Sequence, residues 1–145
     1  MPSFTASQLA LLAGSITASG VAIFAHLVGY DRDRSFYPVV LTVVGSLYIL
    51  FAAMADAGSR IITEVAFFAL FVVLAAIGFR RSLWIAALGL ALHGAFDFIR
   101  DSYAHAPGAP EWWPAFCGAY DLVAAFGLVA IIMRRTAGDE NRMRM

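Results

Sequence analysis

Ile61-Ile62-Thr63-Glu64-Val65-Ala66-Phe67-Phe68-Ala69-Leu70-Phe71-Val72-Val73-Leu74-Ala75-Ala76-Ile77-Gly78-Phe79 is a run of 19 residues with one ionisable side chain, and it stops at Arg80-Arg81. As a helix rising about 1.5 Å per residue, such a run crosses about 30 Å of hydrocarbon. Membrane β-strands are shorter and alternate between apolar and polar, which this run does not. In lipid the helix is also a requirement, because no water is present to satisfy backbone N–H and C=O groups.

The same pattern repeats on both sides. Upstream, Ser35 to Ala55 is uncharged and closes at Asp56-Ala57-Gly58-Ser59-Arg60; before it, Met1 to Tyr30 carries no charge and ends at Asp31-Arg32-Asp33-Arg34. Downstream, Ser82 to Ile99 holds His93 and Asp97, and Trp112 to Met133 holds Asp121. The connection between them, Arg100 to Glu111, contains Pro107, Gly108 and Pro110, which disfavour a continuing helix. The spacing predicts an all-α, polytopic transmembrane helical bundle of about five spans, near residues 7–30, 36–55, 61–79, 82–99 and 113–133, in one domain with a short tail at 134–145. The first span lacks the basic flank and short apolar core of a secretory signal, so it is expected to be retained.

Composition limits the partners. The chain is 61% hydrophobic and 14% charged, whereas average globular sequences carry about 25% charged residues. The lipid bilayer is therefore the expected surroundings. Ten basic residues balance ten acidic ones, so nothing resembles a nucleic-acid surface. Cys117 is the only cysteine, which excludes an intrachain disulfide and a Cys-x-x-Cys motif.

All ten basic residues are arginine. Arg32, Arg34, Arg80, Arg81, Arg134, Arg135, Arg142 and Arg144 fall on one side of the expected bundle, and Arg60 and Arg100 on the other. The positive-inside rule then predicts an outer N-terminus, a cytoplasmic C-terminus and a multi-pass place in the cell membrane. Small residues at four-residue spacing, Ala10, Gly14, Ala18 and Ala22 in the first span and Ala87, Ala91 and Ala95 in the fourth, mark candidate close helix contacts.

In that orientation Glu64, His93, Asp97 and Asp121 all fall in the outer half of the bundle. Ionisable groups at such depth cost roughly 2.5–3.5 kcal/mol each, so they face the interior and find partners. No arginine lies near Asp121 along its helix, which points to His93 as its partner. Cys117, four residues before Asp121, shares its face, as His93 shares that of Asp97. Carboxylate and imidazole ligands suit a divalent metal ion such as Zn²⁺, Mn²⁺ or Fe²⁺. His93, Asp97, Asp121 and Glu64 are thus the candidate metal ligands in a pocket open to the outer face, with Asp121 or Glu64 as candidate catalytic base. His105, with Tyr103 and Glu111, is a candidate lid. The plainer alternatives are an Asp56, Arg60 and Glu64 ladder, an Asp97 and Arg100 pair, and a His93 and Asp121 clamp that only fixes helix register. His26 sits at the level of the inner half, too far from His93 for the two to share a haem.

The stretch His93-Gly94-Ala95-Phe96-Asp97, followed by Trp112-Trp113-Pro114-Ala115-Phe116-Cys117 and Asp121, resembles a group of small, uncharacterised bacterial five-helix membrane proteins with a His-Gly-x-x-Asp and Phe-Cys-x-x-x-Asp pattern. The resemblance implies this architecture in a bacterial inner membrane and singles out His93, Asp97 and Asp121, without implying an activity. Where those proteins carry a His pair this sequence has Arg100-Asp101, two fewer potential ligands. Three functions are weighed: a membrane protein with a metal or acid–base site, a structural or accessory subunit whose partners are other membrane subunits or further copies of itself, and a proton or ion path. The last lacks acids in the inner halves of the spans.

Overall fold

The Thr5 hydroxyl accepts from the Gln8 backbone N–H at 3.2 Å while the Gln8 side chain accepts from the Thr5 N–H at 2.9 Å, a reciprocal cap that starts the first helix, α1 (Ala6–Val28). That helix ends at Gly29, whose φ of 87° needs a residue without a Cβ. A short 3-10 turn (Tyr30–Arg32) leads to α2 (Phe36–Met54). A tight turn at Asp56, itself left-handed with φ 50°, leads to α3 (Gly58–Arg80). Then follow α4 (Leu83–Tyr103) and α5 (Trp113–Met143), the latter opened by Pro114 in its first turn. The computed structural model describes residues 4–103 and 106–144, apart from the side chains of 101–103.

All five helices are long and apolar enough to cross a membrane, and no strand occurs among the described residues. The all-α, five-helix expectation therefore holds. Leu12, Ile16, Ile23, Leu27, Leu50, Ile62, Leu70 and Phe126 are each at least half exposed. An apolar surface of this extent is far larger than the patches a soluble monomer tolerates.

Packing follows small residues. α5 lies between α1 and α4, α3 packs on α2 and α4, and α2 also reaches α4 and α5. Ala10, Gly14 and Ala18 are buried along one stripe of α1, and a Cβ added at Gly14 would stand 2.1 Å from the Phe116 carbonyl oxygen. Only glycine permits that approach of α1 to α5. The α4 stripe is less uniform: Ala87 is buried, whereas Ala95 is exposed. The segment from Arg134 onward, expected as a polar tail, continues α5 as helix to Met143. The 31 residues of α5 span about 46 Å, so its last turns extend beyond a hydrocarbon layer about 30 Å thick.

Candidate metal centre

His93 and Asp97 are one turn apart on α4, and Cys117 and Asp121 are one turn apart on α5, so each helix presents two donors on one face. Two glycines bring these faces together. A Cβ on Gly94 would lie 2.9 Å from the Gly118 carbonyl oxygen, and one on Gly118 would lie 3.1 Å from that of Gly94. The backbones thus touch beside His93 and beside Cys117. One ligand atom from each of the four residues lies within 4.8 Å of all the others.

His93 Nδ1 is 2.7 Å from Asp121 Oδ2 and 3.5 Å from Asp97 Oδ2. Cys117 Sγ lies 3.8 Å from Asp121 Oδ2. All four side chains are at most 2% exposed. Aromatic rings wall them in: Phe71 meets the imidazole edge-to-face at 4.6 Å, and Tyr48 and Phe96 flank it. Asp97 Oδ2 and Asp121 Oδ1 are buried with no hydrogen-bond partner. Buried polar atoms are nearly always satisfied, so each of these two acceptors calls for a cation or a proton.

A second layer supports the first. The Tyr48 hydroxyl donates to Asp97 Oδ1 at 2.7 Å, tying α2 to the site. Arg100 donates to both oxygens of Glu64, at 2.7 and 2.5 Å, and its guanidinium stacks over the Tyr48 ring at 4.5 Å. This two-pronged geometry is the strong form of an Arg–carboxylate pair.

The expected residues therefore divide. His93, Asp97 and Asp121 come together and Cys117 joins them, while Glu64 is buried on Arg100 and stands outside the group of four. The Asp56 ladder does not form as a helical face, because α3 starts at Gly58. Asp97 pairs with Tyr48 rather than Arg100. His26 bonds Asp31 instead, at 2.8 Å. Glu111 is exposed, and His105 and the Tyr103 side chain lie outside the described residues. Two supporting residues are not evident in the sequence. Tyr48 sits 49 positions from its partner in an uncharged run, and Arg100 reads as a loop arginine.

No protein-family model matches the chain, and neither a curated protein nor a solved structure does.

Proposed function

We propose that this is a multi-pass protein of the cell membrane, with its N-terminus outside, in which His93, Asp97, Cys117 and Asp121 bind one divalent ion of the Zn²⁺ class. One observation carries the reading: two carboxylates converge on a single imidazole nitrogen, which can hold only one hydrogen. A divalent cation at that point satisfies both acids, the imidazole and the sulfur together.

The donor set fits. Nitrogen, oxygen and thiolate are the ordinary ligands of Zn²⁺, whose tetrahedral shell at about 2.0–2.3 Å places ligand atoms roughly 3.3–3.8 Å apart. The four atoms here lie within 4.8 Å of one another, so small side-chain rotations suffice. A shell filled by four protein ligands leaves no position for an activated water, which favours a structural or sensing ion over a hydrolytic one. Tyr48 then acts as the partner that orients the Asp97 ligand. The bound ion would also offset much of the cost of holding ionised groups in hydrocarbon.

A second reading has its own support. The His93–Asp121 and Tyr48–Asp97 bonds, each 2.7 Å, form without an ion and would lock α4, α5 and α2 as a polar clamp in an accessory subunit. Metal content separates the two. After reconstitution with Zn²⁺ and removal of free ion, the metal-site reading expects about one equivalent per chain. It expects loss of most of that metal in Cys117→Ser and Asp121→Asn. A metal-free protein with unchanged thermal stability in chelator would leave the clamp.

A further inference from the structure

Toward the other ends of α1, α2 and α5 lies a groove of about 270 Å³ that the metal centre does not use. Its walls are apolar, from Ala22, Ile23 and Leu27 of α1 and Ala130 and Ile131 of α5, and they run from a polar end into the span. At that end sit His26, Asp31, Tyr37 and Arg134.

Two of these are buried and incompletely bonded. Asp31, 6% exposed, engages His26 through Oδ2 at 2.8 Å, while its Oδ1 has no partner; the hydroxyl of Tyr37, 4% exposed, has none either. The turn that carries Asp31 is held in place, since Arg135 of α5 donates to the Asp31 carbonyl at 2.6 Å. Gly127 leaves the space beside the Tyr37 hydroxyl open, as a Cβ there would be 3.4 Å from that oxygen. The residues lining the groove thus carry two buried, unpaired oxygens, on Asp31 and Tyr37, with one exposed cation and one exposed imidazole beside them and an apolar wall leading away.

We propose that this groove binds a phospholipid with a primary-ammonium headgroup: ammonium N–H groups donate to Asp31 Oδ1 and the Tyr37 hydroxyl, phosphate meets Arg134 and His26, and an acyl chain lies along the apolar walls. Charge complementarity selects this occupant. A quaternary ammonium has no N–H to give either acceptor. An anionic headgroup without an amine would suit Arg134 but would set its charge near the buried Asp31 carboxylate.

The test uses delipidated full-length protein in detergent, titrated in native mass spectrometry with phosphatidylethanolamine, phosphatidylcholine and phosphatidylglycerol of matched acyl chains, and separately with inorganic phosphate. Phosphatidylethanolamine is expected to bind about tenfold more tightly than either other lipid, the scale of one charge-assisted hydrogen bond. Asp31→Asn should erase the preference. Gly127→Leu, which fills the groove without touching a charge, should weaken phosphatidylethanolamine about tenfold while Zn²⁺ binding at the quartet is retained. Equal binding of the three lipids by the native chain would overturn the proposal. So would an unchanged affinity in Gly127→Leu, or inorganic phosphate displacing the bound lipid.

Discussion

The Nδ1 atom of His93 faces Asp121 at 2.7 Å and Asp97 at 3.5 Å, and the imidazole can serve only one of them with a hydrogen. The Tyr48 hydroxyl satisfies one oxygen of Asp97, which is fully buried. Removing it in Tyr48→Phe strands that oxygen, and the expected loss is about 1–3 kcal/mol. Thermal unfolding in detergent should show the drop, larger with Zn²⁺ bound than in chelator, because a misoriented Asp97 also weakens the hold on the ion. Arg100 is a sharper case. In Arg100→Leu, Glu64, 3% exposed in the native chain, loses its counter-charge, and the expected cost is about 3–5 kcal/mol. Arg100→Leu combined with Glu64→Leu should recover most of this, because no uncompensated charge remains buried. Recovery by the double variant is the signature of a structural ion pair between Arg100 and Glu64.

Among the elements, close helix contact rests on particular glycines, and the contrast between two of them on α1 is measurable. Gly14→Ala drives a methyl group against the Phe116 backbone and should cost about 1–3 kcal/mol, with α1 displaced from α5. Gly20→Ala meets nothing within 4 Å and should be neutral or stabilising by about 0.5–1 kcal/mol. Both are read by thermal unfolding, and equal effects would contradict the packing account. The α1 stripe was legible in the sequence because four small residues at four-residue spacing make one face. The pairing of His93 with Asp121 was legible too, since a buried acid in lipid needs a partner and few candidates share its depth. Glu64 was harder. A charged residue at the edge of an apolar run reads as the end of a span, so Arg100 counts as loop; in the structure α4 continues through it and the guanidinium reaches Glu64 on α3. Tyr48 gives no local signal, because its partner is fixed only by how α2 packs on α4.

For the whole molecule, the five apolar helices and their wide exposed apolar faces argue for lipid as the surroundings, and the arginines argue for one orientation in it. Gly58→Cys, in the first turn of α3, and Gly138→Cys, near the end of α5, occupy exposed sites with no neighbour within 4 Å. A membrane-impermeant maleimide applied to intact expressing cells should label the first and spare the second. The reverse pattern would invert the bundle and move the quartet to the cytoplasmic half. Cys117, 2% exposed, should contribute little background.

The proposed metal site at His93, Asp97, Cys117 and Asp121 is tested most directly by titrating chelator-stripped protein with Co²⁺, a spectroscopic substitute for Zn²⁺. A site that includes the Cys117 thiolate predicts visible bands of a tetrahedral ion and a near-ultraviolet sulfur-to-cobalt band, both saturating near one equivalent, with the sulfur band lost in Cys117→Ser. A titration that leaves the spectrum that of the hydrated ion, in a protein that remains helical and monodisperse, would contradict the site.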